Sequence, residues 1–249
     1  MTYLYCVLTP ADRPPSLNGL GGAPVRALRL ADDTLEAWVA TVERTTLRVS
    51  GRELAALALA HNEVVSAALG SGRTPLPARF GSLFSDDASC VRTLDARAPQ
   101  LRAALTRVAG TIEMSVVLAS PNLRVGERSA LLPARNESSA GRRYLELVRE
   151  RTRHAEQAQA ATEAVVDQLR LAVHAVVLEE ARGRATQGIT SIAHLLRRED
   201  ESRYRDAVQC LETPNDVRVV VAGPRAPYSF AGPVALLTGH DSGSPDHSG

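Results

Sequence analysis

Hydrophobic and polar positions along the chain change period several times, and each change predicts an element. The β-branched and aromatic run "YLYCVLT" (Tyr3 to Thr9), stopped by Pro10, predicts a first strand. "PADRPPSLNGLGGAP" (Pro10 to Pro24) is rich in Pro and Gly and reads as loop. "VRALRL" alternates apolar and basic residues, the period of a half-buried strand, and "LEAWVATV" predicts a third strand. From Ser50 the period lengthens to that of a helix. Ser50 and Glu53 have capping-box spacing, Leu54, Leu57, Val64, Val65 and Ala68 mark the apolar side, and Gly70 and Gly72 end the helix. "LPARFGSLF" (Leu76 to Phe84) reads as a strand that places Leu76, Phe80 and Phe84 on one face and Arg79, Gly81 and Leu83 on the other. A helix with Asp86 and Asp87 at its start follows, kinked or divided at Pro99. "TIEMSVVLAS" (Thr111 to Ser120) closes this half as a strand.

Strand and helix thus alternate over residues 1–120, with strands in excess. The pattern predicts an α+β layer close to the ferredoxin-like split βαβ arrangement with an extra strand. Residues 121–136 read as a linker. Residues 137–231 form a second α+β domain that opens with a long helical stretch, from about Ser138 to Arg184. Tyr144, Val148, Arg151, Ala155, Ala158, Thr162, Val165, Leu169, Ala172 and Val176 recur there with 4-3 spacing, a weak coiled-coil-like seam. "ITSIAHLL" then predicts a strand, "EDESRYRDAVQCLE" a helix and "DVRVVVAG" a last strand. Residues 232–249 have the composition of a disordered tail.

Composition narrows the chemistry. The 249 residues carry 29 basic and 28 acidic side chains, so no strong net field draws the chain to nucleic acid or anionic lipid. Every basic side chain is arginine, which excludes a Schiff-base, P-loop or kinase-type lysine. Three scattered cysteines without a C-x-x-C pair argue against a disulfide framework or a zinc site and fit a reducing cytoplasm. No signal-peptide pattern and no apolar run of membrane-spanning length is present, so a soluble, cytoplasmic protein without membrane attachment is expected.

His154, His174 and His194 stand twenty residues apart, and His61-Asn62-Glu63 lacks the P-C-x-x-C partner of a zinc deaminase. No G-x-S-x-G elbow occurs, and "GLGGAP" lacks G-x-G-x-x-G spacing. The adjacent acids Asp86-Asp87 and Glu179-Glu180 fit helix ends better than a catalytic dyad. No catalytic residue, cofactor site or metal site is therefore expected. A ferredoxin-like RNA-binding or other protein-interaction module is the alternative, the RNA reading resting on Tyr3 and Tyr5 as a stacking pair, although no RNP1-like run accompanies them.

All three phenylalanines fall in two short motifs, Phe80 and Phe84 in "LPARFGSLF" and Phe230 in "GPRAPYSFAG". In the second, Pro224 and Pro227 stiffen the backbone ahead of Tyr228 and Phe230. Such a knuckle covers the C-terminal sheet or anchors a partner, and the usual burial of Phe favours the first.

Four stretches in order resemble the gas-vesicle protein F/L family: "YLYCVL", "LPARFGSLF" after a helix with one histidine, "SAGRRYLELVRER" opening a long helix, and "GPRAPYSF" after the last strand. The resemblance runs from Tyr3 to about Phe230. Ala78, Ser82, the Arg225-Ala226 pair and the absence of a Trp after Glu113 depart from the family pattern. The resemblance implies two α+β domains, the first modified ferredoxin-like, and a non-enzymatic accessory protein of gas-vesicle formation. It further implies contact with the hydrophobic shell protein, and with other accessory proteins, in the cytoplasm or at the gas vesicle. Arg79, Arg142, Arg143, Tyr228 and Phe230 are the candidate partner-binding residues.

Overall fold

A computed structural model describes residues 1–11, 15–31, 33–120, 137–183, 188–214 and 217–232, with backbone alone at 44, 137–141 and 143. The predicted linker and all of the predicted tail after 232 lie outside the described residues. The chain divides into two compact units, Met1–Ile112 with the residues from Arg225 onward, and Glu113–Pro224.

The first unit is built on β1 (Thr2–Leu8), β2 (Arg26–Arg29), β3 (Glu36–Thr41), β4 (Leu76–Pro77) and β5 (Leu83–Phe84). The order is β2-β3-β1-β4, with β5 also paired to β1. All four pairings are antiparallel. Taking β4 and β5 as one interrupted strand, this is the ferredoxin-like order. In the first crossover, after β1, the described residues carry a 3-10 turn at Leu20–Gly22 and an isolated bridge between Asn18 and Pro24, and no α-helix. The second is helix α1 (Gly51–Gly70). Helices α2 (Asp87–Asp95) and α3 (Ala98–Val108) follow β5. Pro99 stands in the first turn of α3, where its missing N–H costs nothing, so the proline divides the predicted helix in two. Asp86 caps α2 by accepting from Ser89 N at 2.7 Å. Ser50 is the N-cap of α1, but its side chain makes no capping hydrogen bond, unlike the box its spacing predicts.

β1 is buried along its whole length. A buried carboxylate, Glu36 on β3, accepts from Arg73 (2.8 Å) and from the Trp38 indole N–H (3.0 Å), while the Arg73 guanidinium lies 5.1 Å from the Trp38 ring centroid. Pairing and cation–π contact together offset the desolvation of that carboxylate. They also fix the turn that follows α1.

The second unit contains β6 (Thr111–Ala119), α4 (Glu137–Val173), β7 (Val177–Arg182), β8 (Ile189–Arg197), α5 (Glu201–Gln209) and β9 (Arg218–Arg225). Its sheet runs β7-β8-β6-β9. Three expectations are corrected here. "TIEMSVVLAS" is β6 and belongs to this sheet, not to the first one. Its alternation specifies a strand, but not which sheet receives it. The long helix ends at Val173 rather than about Arg184, after 37 residues and about 55 Å. Beyond it Val177–Arg182 alternates half-buried and exposed positions as β7, which the run of helix-compatible residues around it had concealed. Finally, "LPARFGSLF" is not one strand but two short ones around a turn.

At the end of β9, Gly223 has φ +126°, and a Cβ there would stand 2.9 Å from the Glu113 carbonyl and 2.8 Å from the Met114 sulfur. Only glycine allows this approach of β9 to β6.

Candidate partner-binding site

The turn between β4 and β5 explains the placement of the phenylalanines. Gly81, at φ +91°, is the third residue of a β-turn closed by Ser82 N donating to the Arg79 carbonyl at 3.1 Å. The turn breaks the alternation that a continuous strand would impose. Phe80 and Leu83 pack on the core beneath α1, whereas Phe84, paired with Thr2, is not part of that cluster. The single phenylalanine face read from the sequence is thereby corrected.

Around Phe80 the first unit gathers most of its aromatic rings. Tyr3 lies 4.9 Å from Tyr5, 5.7 Å from His61 and 6.4 Å from Phe80 between ring centroids. His61 lies 5.9 Å from Phe80 and 6.4 Å from Tyr228. These are edge-to-face or tilted contacts within the favourable range. The Tyr3 hydroxyl accepts from Gly81 N at 3.1 Å and stands 2.9 Å from His61 Nδ1. Burial pulls the His61 pKa down to about 4, against a smaller opposing effect of the Ala78 backbone, and pushes the Tyr3 hydroxyl well above the ordinary range. Both groups are therefore neutral near pH 7.

The knuckle belongs to this cluster. Ala226 is part of the core that holds Tyr3, Tyr5 and Trp38, and Tyr228 packs against it with its hydroxyl 3.5 Å from Asn62 Oδ1. Phe230 is only 5% exposed, and its carbonyl accepts from Arg107 on α3. The expectation that the knuckle covers the C-terminal sheet is corrected: it covers the aromatic core of the first unit. Tyr228 is half-buried, and Arg79 is exposed at the β4–β5 turn.

The other candidates lie on α4. In its second half most of the predicted seam is covered: Ala158, Thr162, Val165, Leu169 and Val176 just beyond the helix are buried, as are Val166 and Val173, while Ala172 is exposed. Two ion pairs tie this half to β7, Arg170 to Glu180 at 2.5 Å and Arg182 to Glu163. They hold both carboxyls below the usual range. His194 on β8 joins the same network, 2.7 Å from the Tyr204 hydroxyl and 3.4 Å from Glu180.

The first half of α4 is uncovered. Arg142 and every side chain over 144–154 are exposed, including Tyr144 (66%), Leu145 (57%), Leu147 (51%) and Val148 (37%). At 100° per residue these four span about 160° around the same side of the helix that is buried further on. Arg149, Glu150 and Arg153 occupy the opposite side. The side chain of Arg143 lies outside the described residues. The stripe was partly visible in the sequence, since Tyr144 and Val148 belong to the seam. Leu145 and Leu147 were not singled out, because a seam does not say whether its covering partner lies in the same chain.

Among the described residues no group of three or more His, Cys, Asp or Glu side chains could hold a metal ion, and no helix is long and apolar enough to cross a membrane. Fold and surface together define a two-unit α+β protein whose most conspicuous surface feature is an uncovered apolar helix face. The model of the family described as "Gas vesicle synthesis protein GvpL/GvpF" matches residues 1–232, and the chain belongs to that family.

Relatives support the assignment over nearly the full length. Gas vesicle protein L of Streptomyces sp. (strain CB03234) is 30% identical, over 93% of this chain and 93% of that protein. Gas vesicle protein F of the same strain is 28% identical, over 92% and 98%. Gas vesicle protein L1 of Halobacterium salinarum (strain ATCC 700922 / JCM 11081 / NRC-1) is 27% identical, over 92% and 89%. The crystal structures of GvpF from Anabaena sp. PCC7120 and from Microcystis aeruginosa share the fold, with TM-scores of 0.68 and 0.67 at 20% and 19% identity. They cover 92% of this chain in each case, and 97% and 98% of their own chains.

Proposed function

We propose that this chain is a non-enzymatic accessory protein of gas-vesicle assembly that works in the cytoplasm and contacts the hydrophobic shell protein as it assembles. The observation that carries this reading is the uncovered stripe Tyr144, Leu145, Leu147 and Val148, on the same side of α4 that is buried from Ala158 onward, with exposed Arg151 between the two. A soluble chain that leaves four large apolar side chains together in water retains them for a partner that removes them from it. A small, very hydrophobic subunit awaiting assembly is such a partner, because covering its apolar surface suppresses aggregation. Arg142 on the same helix, and Arg79 and Tyr228 on the first unit, are the polar and aromatic groups we assign to accessory contacts. Contacts with further accessory proteins belong to the same proposal.

The RNA-binding alternative loses its residues. Tyr3 and Tyr5 are fully buried beneath α1, so no base can stack on them.

Co-expression with the shell protein tests the reading. Wild-type chain keeps shell protein in the soluble fraction and co-purifies with it. The Leu147→Glu/Val148→Glu variant, which melts as wild type because both positions are exposed, loses that association. Retention of shell protein by the double variant rejects the α4 stripe as the contact, and absence of association with wild type rejects direct shell contact altogether.

A further inference from the structure

β9 is an edge strand of the second sheet, with β6 on one side and no strand among the described residues on the other. Edge strands normally carry devices that prevent further pairing. Here those devices are confined to one end. Pro224 has no N–H to offer, and Arg205 on α5 donates to the Gly223 carbonyl at 2.7 Å. Residues 218–222, "RVVVA", carry neither device.

Alongside this open stretch runs a cavity of about 710 Å³ whose other wall is α5 and the turn after it. Val219, Val220 and Val221 all line it. Side chains of successive strand residues point to opposite faces, so three in a row border one cavity where it follows the strand's edge. Val208 and Leu211 supply the apolar wall opposite, and Arg205 and Arg218 supply the charge. Among the described residues no acidic side chain lines the cavity. Arg205 is paired with Glu201 at 2.9 Å, whereas Arg218 has no ion-pair partner among the described residues.

We infer that this groove takes an extended, acidic segment of a partner protein as an added strand on β9, with β-branched side chains against the valines and carboxylates beside Arg218. A helix and an open strand edge that border one groove are the elements of strand-addition recognition, in which main-chain hydrogen bonds give affinity and side-chain pockets give specificity. Charge selects a heterologous occupant over a second copy. Two antiparallel copies paired over the open stretch 218–222 set Arg218 opposite Ala222 and bring no carboxylate to it, whereas an acidic segment supplies one. Two parallel copies set Arg218 beside Arg218, and like charges across a strand pair are unfavourable. The groove is distinct from the α4 stripe, and the inference does not depend on that stripe binding the shell protein.

The test titrates full-length chain with labelled hexapeptides, one alternating valine and glutamate, one alternating valine and lysine, and one glutamate peptide with a central proline. The glutamate peptide binds saturably, at least about tenfold more tightly than the lysine peptide, and shifts the backbone amide signals of 218–222. The proline peptide does not bind. Arg218→Glu reverses the charge preference, and Val220→Lys, a second exposed position, weakens every peptide that binds as a strand. Equal binding of the acidic and basic peptides, undiminished binding of the proline peptide, or no saturable binding overturns the inference. Concentration-dependent self-association abolished by Val220→Lys also overturns it, by assigning the edge to a second copy.

Discussion

The knuckle around Tyr228 and Phe230 and the first half of α4 both stand out in the sequence as places where a partner could attach, and the structure treats them oppositely. The knuckle is aromatic, rigid and closed. Its Phe230 is buried, its Tyr228 reaches Asn62, and the rings beneath it are joined by hydrogen bonds through Tyr3 and His61. The α4 segment carries larger apolar exposure on an ordinary helix, and its apolar side chains are left exposed. The difference teaches that rarity of a residue type marks investment in structure, whereas an interaction surface shows as apolar area left without cover.

Mutation separates the two regions most strongly at their apolar side chains. Phe230→Ala empties a buried site and lowers stability by about 3–5 kcal/mol, while Leu147→Ala, already half in water, changes it by no more than about 0.5 kcal/mol. Urea titration of both variants reads the contrast, and comparable losses would erase it.

Acid separates them next. His61 is held neutral by burial, with its pKa pulled from the ordinary 6.5 to about 4. The unfolded chain therefore binds the proton first. The stability this group contributes is fully present above about pH 6.5 and is lost as pH falls through about 4, on the order of 3 kcal/mol across that window. Burial lowers the His194 pKa too, so the second unit loses stability in the same direction. Thermal melts from pH 7.5 to 4 show this decline in wild type. A His61→Gln variant starts lower but declines less steeply, and an unchanged slope in that variant would remove His61 as the cause.

Smaller effects belong to the polar fringes. Tyr228→Phe removes the long hydrogen bond to Asn62 and costs about 0.5 kcal/mol, so a loss several times larger would make the knuckle's hydroxyl essential to closure. Glu163→Gln, which breaks the pair with Arg182 beside the covered half of α4, costs at most about 0.5 kcal/mol and less in high salt, because both groups are part-exposed. Melts at low and high ionic strength measure it.

The local patterns were legible wherever a single period ran uninterrupted. The strand "YLYCVLT", the α1 helix ended by its glycines, the division at Pro99, and the strands β8 and β9 all follow from spacing and breakers. What was not legible depends on distance in the fold. Nothing in "TIEMSVVLAS" tells which sheet takes it, since alternation specifies pleat and not neighbour. The turn at Gly81 hides inside a stretch whose residue types suit a strand, and β7 hides behind a helical run of alanines and leucines. Of the candidate residues, Arg79, Arg142 and Tyr228 reach the surface and Phe230 does not, because the knuckle's destination lies more than a hundred residues upstream. The cavity beside β9 had no signal, because it arises from how α5 and an edge strand meet.

The central claim is that the uncovered half of α4 is where the shell protein docks. Hydrogen–deuterium exchange of the chain alone and of the co-purified complex tests it most directly. Bound shell protein is predicted to slow exchange over residues 142–157 while leaving 158–173 and the knuckle at 226–230 as they were. Unchanged exchange over 142–157, with new protection appearing at the knuckle or elsewhere, would contradict it.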